Sequence, residues 1–160
     1  MILGIDPGLA NCGWAVLKEV NGDEYELVEC GCITSKKGVK NGERLNGIYK
    51  ELEKIIKKYK VKMVAFESLF FAKNVKSAMA VAEVIGVIKV CGERCSLEVF
   101  AYTPLQVKMA LVGYGRADKD QVETMVRSLL GLEESISPSH ASDAVAVALT
   151  HGFTSQNLKI

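Results

Sequence analysis

Side chains of the kinds that bind hard metal ions stand at the ends of apolar segments in this sequence. Asp6 ends the apolar run "MILGID" and is followed directly by "PG", while Glu67 follows "VKMVAF". Because ligands bind beyond the carboxyl ends of strands in open α/β sheets, we expect both acids at one edge of a sheet. His140 and Asp143 stand three positions apart at the start of "SHASDAVAVALTHG", where a helix would place them on one face.

A cluster of these four side chains is suited to binding divalent metal. Crowded carboxylates repel one another unless a cation neutralises them, and carboxylate oxygens suit Mg²⁺, with Mn²⁺ able to substitute. Two such ions roughly 4 Å apart clamp the attacking and leaving oxygens of a phosphodiester displacement. The pattern therefore predicts a nuclease site with two Mg²⁺ ions, in which the metal-binding and catalytic residues are Asp6, Glu67, His140 and Asp143.

Each of these residues taken alone has a simpler explanation. Asp6 and Glu67 could each be only a turn former or a helix cap, and His140 could be a surface or capping residue. Asp143 is harder to explain in this way, because the alanine-rich run after it predicts a buried helix and a buried acid needs partners. It is the spacing of all four, on elements that can meet at one edge, that favours the metal site.

Aromatic and basic residues follow the second strand-end acid in the stretch "ESLFFAKNVK". Phe70 and Phe71 suit stacking on unpaired bases, and Lys73 and Lys76 suit contacts with the phosphates nearby. The alternative is that one phenylalanine packs in the core. We expect one of the two rings to be buried and the other exposed.

Hydrophobic periodicity and turn signals predict the elements that must position these residues. The first third of the chain is typical of a three-stranded antiparallel meander, in which Asn21-Gly22 forms a hairpin turn. Two further strands each follow a helix, which favours a parallel pair. The predicted order is β-β-β-α-β-α-β-α-α-α, and the expected fold is α/β: a five-stranded mixed sheet, the antiparallel meander plus two parallel strands, flanked by helices on both faces.

Capping signals place the later helices. Thr103 and Pro104 are typical of an N-cap and a first helical residue. The last helix is predicted from Pro138 to about His151. We expect residues 1–153 to form a single domain and residues 154–160 to form a flexible C-terminal tail.

The helix predicted after "FFAKN" is apolar on nearly every side. Between Ser77 and Val90 alanine, valine, isoleucine and methionine predominate. A sheet can cover only one stripe of such a helix, so the remaining apolar face must meet another surface. The commonest such surface is a two-fold mate, and we expect a homodimer through this helix.

Composition limits the class of protein. Of the 160 residues 49% are hydrophobic and 24% are charged, which is typical of a globular domain, and the net charge of +1 says little about partners. The five cysteines contain no C-x-x-C pair, so we expect reduced thiols and neither a zinc site nor a disulfide framework. With no apolar run long enough to span a membrane, and with Met1 leading directly into a strand-like segment, we expect a cytoplasmic protein.

Four motifs carry a resemblance to a known family. "GIDPGLANCGWAV", "FESLFFAKN", "TPLQVKMALVGYGRADKDQV" and "HASDAVAVALTH" resemble, in order and spacing, motifs of the RuvC family of bacterial Holliday junction resolvases. The resemblance covers roughly residues 1–152. It implies a ribonuclease H-like fold and a homodimer that makes paired, symmetric nicks in strands of like polarity at a four-way DNA junction, in recombination and repair. It also implies the RuvA–RuvB branch-migration complex as a partner.

The resemblance also assigns roles to residues. It places the family's metal-binding acids on Asp6, Glu67 and Asp143, and the fourth position on His140, where many members have aspartate. The residues that it and the aromatic and basic pattern indicate for nucleic-acid binding are Phe70, Phe71, Lys73, Lys76, Lys108, Arg116 and Lys119. One departure from the family pattern is Asp120, which adds a negative charge beside Lys119.

Three other functions remain open at this stage. Actin-like and sugar-kinase ATPases also begin with a strand, an aspartate and a glycine turn, but they bind ATP between two such domains and carry small hydroxyl residues where Leu9 and Ala10 stand here. A ribonuclease H-like nuclease for another nucleic acid, such as precursors of ribosomal RNA, would keep the acids without the apolar helix. A binding module with an inactive site would not need all four ligand types.

Overall fold

The central sheet has five strands in the order β3-β2-β1-β4-β5. A computed structural model of the chain describes residues 1–68 and 75–156. The first three strands pair antiparallel, whereas β4 pairs parallel with β1 and with β5. The predicted mixed sheet is therefore confirmed, including its meander and its parallel pair. The strands are β1 Ile2–Asp6, β2 Asn11–Asn21, β3 Glu24–Thr34, β4 Met63–Glu67 and β5 Glu98–Tyr102.

Helices cover both faces of this sheet and create two separate hydrophobic cores. One core joins the buried face of the last helix to the side chains of β1 and β2, and the other joins the first two helices to the opposite sheet face. Large side chains such as Leu3, Ile48 and Leu149 are almost fully buried in these cores. The helices are α1 Asn41–Tyr59, α2 Val75–Arg94, α3 Pro104–Val112, α4 Lys119–Leu130 and α5 Ser139–Gln156.

Helix α5 lies unusually close to the sheet, because glycines stand where it crosses two strands. A β-carbon added to Gly4 of β1 would lie 2.1 Å from the Ala144 carbonyl oxygen, and one added to Gly13 of β2 would lie 1.9 Å from that of His140. No side chain fits in either gap. The small residues of α5 and the two glycines together bring the first turns of the helix onto the carboxyl end of β1.

The last helix is longer than the sequence predicted. It runs from Ser139 to Gln156, so the predicted end near His151 is wrong, and residues 154–156 of the expected tail are helical. Gly152 does not end the helix, because its bare backbone packs against Tyr25, whose ring would lie 2.5 Å from an added β-carbon. Phe153 then packs edge-on against the same ring at a centroid distance of 5.6 Å, which holds the extra turn on the sheet. Residues 157–160 lie outside the part of the chain that the structure describes.

Within residues 1–68 and 75–156, helix α2 is covered on one stripe only. Val84, Ile88 and Cys91 are buried against the sheet, whereas Val75 is 71% exposed and Met79 is 63% exposed. Among the residues that the structure describes, no helix is long and apolar enough to cross a membrane. All five cysteines are free thiols in the structure.

Candidate active site

Three of the four predicted metal ligands meet at the carboxyl end of β1. Asp6, His140 and Asp143 each offer a ligand atom, and these atoms lie within 4.8 Å of one another. His140 Nδ1 is hydrogen-bonded to Asp6 Oδ2 at 2.7 Å. The predicted pairing of His140 with Asp143 on one helical face therefore turns both side chains towards the end of the strand.

Glu67 is the fourth predicted ligand, and it is the last residue of β4, at the same edge of the sheet. The parallel register pairs Ile5 with Phe66, so that the next residue on each strand is an acid, Asp6 on β1 and Glu67 on β4. Glu67 does not belong to the group within 4.8 Å, but it lines a cavity together with Asp143. The structure thus has a tight group of three candidate ligands and one acid beside it.

Crowding and burial disfavour negative charge at this edge. Burial is the main cause that raises the pKa of Glu67 to about 7, and the charges of Asp6 and Asp143 raise it further. Burial also raises the pKa of Asp6, although the hydrogen bond from His140 opposes that shift. Carboxyl groups held in this way have lost hydration and gained like-charged neighbours, and a divalent cation would offset both costs.

Lys119 supplies positive charge to the cluster. Its Nζ donates a hydrogen bond to Asp143 Oδ2 at 2.7 Å, and this bond is the main cause of the raised pKa of Lys119. Lys119 is the first residue of α4, whose start is fixed by a capping box. The Asp118 side chain accepts a hydrogen bond from the backbone N–H of Gln121, and the Gln121 side chain accepts one from the backbone N–H of Asp118.

A second lysine faces the same cavity from α3. Lys108, Lys119, Glu67 and Asp143 line a space of about 190 Å³ beside the three-ligand group. Helix α3 starts as predicted, with Thr103 as its N-cap and a proline in its first turn. Two cations and two acids therefore share one small cavity, an arrangement that suits a phosphate bound next to a metal ion.

The other predicted nucleic-acid contacts have different positions. Lys76 is exposed at the start of α2 and lines a groove that also includes His140. Arg116 is exposed between α3 and α4 and lines neither the cavity nor that groove. Phe70, Phe71 and Lys73 lie outside the described residues, so the expectation of one buried and one exposed ring stays a prediction.

Sequence reasoning missed residues that position or flank the site. Gly4 and Gly13 let α5 approach the sheet, and a glycine inside an apolar strand is a known sign of such an approach. Asp118 caps α4, and the signal was the spacing D-x-x-Q in "DKDQ". Lys37 and Arg44 line the groove beside His140. The sequence signal for Lys37 was the lysine cluster in "SKKGVK".

The donor set fits a hard divalent metal ion. Asp6 and Asp143 are only partly exposed, with 17% and 33% of their side-chain surface accessible, and they converge from two different elements. Carboxylate oxygens with one imidazole are ligands that Mg²⁺ and Mn²⁺ accept, and the absence of a thiolate from the set disfavours softer metals. The geometry and the chemistry of the donors therefore agree.

The sheet order and the parallel β1–β4 pair, with acids at the carboxyl ends of both strands, are those of the ribonuclease H-like fold class, as the resemblance implied. A model of the family described as crossover junction endodeoxyribonuclease RuvC matches residues 2–151. The chain therefore belongs to the RuvC family, a class of DNA-cleaving hydrolases.

Relatives and solved structures agree with this assignment. RuvC of Caldicellulosiruptor saccharolyticus is 43% identical over 98% of this chain and 95% of its own length, and RuvC of Pelotomaculum thermopropionicum is 44% identical over 94% and 92%. The structure of Thermus thermophilus RuvC in complex with a Holliday junction substrate is 33% identical, covers 98% of this chain and 94% of that one, and has a TM-score of 0.93. The yeast mitochondrial resolvase Ydc2, at 12% identity and a TM-score of 0.68, shares the fold.

Proposed function

We propose that this protein is a Holliday junction resolvase that cuts four-way DNA junctions by divalent-metal-dependent hydrolysis of phosphodiester bonds. The observation that carries the proposal is the convergence of Asp6, His140 and Asp143 within 4.8 Å, beside Glu67 and two lysines, at one edge of a ribonuclease H-like sheet. The relatives are named crossover junction endodeoxyribonucleases, and one similar structure is a complex with a Holliday junction substrate.

Asp6, Glu67, His140 and Asp143 would hold the metal, with Mg²⁺ as the expected ion, Mn²⁺ as a substitute and two ions per site. When bound, such ions supply a nucleophile at neutral pH and stabilise the charge on the reacting phosphate oxygens. The protein contributes a partly buried edge on which the acids are already gathered at the cost of mutual repulsion. Lys119 offsets part of that cost, and a bound divalent cation would offset more of it.

The lysines of the site would handle the substrate's charge. Lys108 and Lys119 face the cavity that Glu67 and Asp143 also line, so a phosphate entering it would meet two ammonium groups. Lys119 is already held in place by Asp143, and α4 begins at this residue through a capping box. The fixed start of α4 reduces the freedom that the lysine must lose when it contacts DNA. Lys76 and Arg116, with Phe70, Phe71 and Lys73, complete the proposed DNA-binding set.

Paired, symmetric nicks in strands of like polarity would follow from a two-fold arrangement of two such chains. The uncovered face of α2 supports a homodimer, because Val75, Met79 and Val90 are 71%, 63% and 56% exposed on this one helix. A groove lined by Tyr49 of α1 and by Glu83, Gly86, Val87 and Val90 of α2 continues the same apolar surface. A junction is itself two-fold symmetric, so two sites related by such an axis would face equivalent strands.

The proposal includes the cellular setting that family membership suggests. The protein would act in homologous recombination and repair in the cytoplasm, as a single nuclease domain over residues 1–153 and in association with a RuvA–RuvB branch-migration complex. A pull-down of purified protein with RuvA and RuvB assembled on a junction tests this partnership. Stronger retention on junctions that carry RuvA and RuvB than on bare junctions is expected, and equal retention on both would contradict the partnership.

A cleavage assay on three substrates tests the function. With Mg²⁺, the protein is expected to cut a synthetic four-way junction symmetrically and to leave linear duplex and an RNA–DNA hybrid intact. Asp6→Asn, Glu67→Gln and Asp143→Asn should abolish cleavage but keep junction binding, because binding comes from cations and chemistry from the acids. Preferential cleavage of the hybrid would favour a different ribonuclease H-like nuclease, and loss of junction binding in all three variants would refute this division of roles.

A further inference from the structure

A groove on the far side of His140 continues the active site. It is bounded by the turn of residues 8–11 between β1 and β2, by Lys37 before α1, by Arg44 in α1, and by Lys76 and Val81 in α2, and it includes His140. We call this surface the β1–β2 groove. Its volume is about 450 Å³, within the range of ligand sites in proteins.

The charge of the β1–β2 groove is one-sided. Lys37, Arg44 and Lys76 line it, and its lining residues within the described ranges 1–68 and 75–156 include no aspartate or glutamate. Lys37 is exposed, and its neighbour Lys36 adds a further cation to the same stretch of chain. On a protein whose net charge is only +1, such a local excess of cations favours an anion.

Arg44 is held in place rather than free in solvent. Its Nε donates a hydrogen bond to Ser35 Oγ at 2.9 Å, and its Nη2 donates to the Leu9 carbonyl oxygen at 3.4 Å. Ser35 Oγ donates to the same carbonyl oxygen, so one side chain connects α1 with the turn after Asp6. A guanidinium has five N–H donors, and these bonds among the described residues use only part of them. Arg44 therefore lines the groove with a guanidinium group whose position is already fixed by these bonds.

The groove reaches the start of α5. It contains His140, while the cavity with Lys108 and Lys119 contains Asp143, and these two residues lie one turn apart on α5. Cationic surfaces therefore lie on both sides of the candidate ligands. A polynucleotide crossing the start of α5 would pass from one cationic surface to the other, with the scissile phosphate between them.

We propose that the β1–β2 groove binds the sugar–phosphate backbone of the DNA strand that is cut, on one side of the scissile phosphate, through Lys37 and Arg44. The apolar side chain of Val81 and the turn after Asp6 form the wall against which the sugars lie. This inference rests on the proposed function, because it assigns the groove to the same substrate.

Neutral phosphates in a synthetic junction test the assignment. Single methylphosphonate substitutions are placed along the cut strand, and binding is measured without divalent ions for wild type, Lys37→Ala, Arg44→Gln and Lys62→Ala. Arg44→Gln keeps a side-chain amide for the turn, and Lys62 is an exposed lysine at the opposite end of β4. A neutral phosphate at one or two positions close to the cut should weaken binding by wild type about fivefold. At those same positions the neutral phosphate should not further weaken binding by Lys37→Ala or Arg44→Gln, because the contact is already lost.

Salt dependence gives a second readout. Each groove variant should reduce the slope of log affinity against log salt by about 0.9, whereas Lys62→Ala should leave the slope unchanged. If wild type binds and cuts junctions but Lys37→Ala and Arg44→Gln behave like Lys62→Ala in both measurements, the groove does not bind DNA and the proposed function stands. If wild type shows no preference for junctions at all, it is the proposed function that fails.

Discussion

Lys119 Nζ lies 2.7 Å from Asp143 Oδ2, so a lysine occupies an oxygen of a candidate metal ligand. The ammonium group is also attracted by Asp6 and Glu67, and all three acids raise its pKa. In this arrangement the lysine partly neutralises the acids before a metal ion binds. A divalent ion at this site would have to compete with the lysine for Asp143, and a lysine released from Asp143 would be free to contact DNA.

Replacing Lys119 should therefore separate metal binding from cleavage. In the absence of DNA, Lys119→Ala is expected to bind Mg²⁺ or Mn²⁺ more tightly, by about tenfold, because a competing positive charge is removed. The same variant should cut junctions more slowly, since a phosphate contact is lost. Calorimetric titration with Mn²⁺ and single-turnover cleavage measure the two effects. Lys108→Ala is the control: among the described residues the ion pair with Asp143 is made by Lys119 and not by Lys108, so this variant should change metal affinity less. Weaker metal binding by Lys119→Ala than by wild type would contradict the competition between lysine and metal.

Stability without metal should depend on pH through Glu67. Its pKa in the folded protein is about 7, above the ordinary value of 4.5, so the folded state binds the proton more tightly than the unfolded state. The contribution of the protonated group is complete below pH 4.5 and is lost as pH rises through 7. Near pH 8 the free energy of unfolding of Glu67→Gln should therefore exceed that of wild type by on the order of 1–3 kcal/mol, as measured by urea denaturation. The difference should vanish at acidic pH.

Two comparisons keep that test specific. Glu53→Gln should show no gain at high pH, because a hydrogen bond from Lys57 lowers the pKa of Glu53 instead of raising it. Mg²⁺ should stabilise wild type more than Glu67→Gln, since the metal binds the ionised carboxylate. A wild type and a Glu67→Gln variant with parallel pH profiles would show that burial of this acid costs nothing.

The approach of α5 to the sheet should depend on Gly13. Gly13→Ala places a β-carbon 1.9 Å from the His140 carbonyl oxygen, so the helix start must move and the metal ligands with it. We expect the free energy of unfolding to fall by about 1–3 kcal/mol. The cleavage rate should fall even at temperatures where the variant remains folded. Gly47→Ala, in α1 with nothing within 4 Å of the added atom, should instead stabilise slightly. Thermal melts and cleavage rates measure both variants, and an active, stable Gly13→Ala protein would refute the role of the close approach.

Metal preference should depend on His140. An imidazole ligand favours Mn²⁺ over Mg²⁺ more than a carboxylate does, so His140→Asp should shift the ratio of cleavage rates towards Mg²⁺. His140→Ala should weaken metal binding and also free Asp6, to which His140 is hydrogen-bonded at 2.7 Å. Rates with each metal are compared for wild type and the two variants. Identical metal profiles in all three would mean that His140 only orients Asp6.

The face of α2 should control the oligomeric state. Met79→Asp places a charge at an exposed apolar position of the proposed dimer surface, and burial of that charge would cost several kcal/mol. Sedimentation at equal protein concentration should show a dimer for wild type and a monomer for Met79→Asp. Val20→Asp, at a position that is 49% exposed near the end of β2, is the control and should remain dimeric. A dimeric Met79→Asp protein would place the interface elsewhere.

The sequence by itself determined the elements and their order. Alternating and continuous apolar runs, the hairpin turn at Asn21-Gly22 and the cap at Thr103 are local signals, and each predicts a strand, turn or helix without knowledge of distant residues. Strands that alternate with helices then predict a parallel pair added to the antiparallel meander. For that reason the five-stranded sheet and the meeting of Asp6 with Glu67 at one edge could be predicted from the chain alone.

Only the tertiary structure decided how closely these elements approach. Whether His140 bonds Asp6, or Lys119 bonds Asp143, depends on distances between elements far apart in the chain, and packing at Gly4 and Gly13 sets the depth of α5. The extra turn of α5 depends in the same way on Tyr25, a partner more than a hundred residues away. Local periodicity contains no such distances, because they result from how the cores fill once all layers are in place.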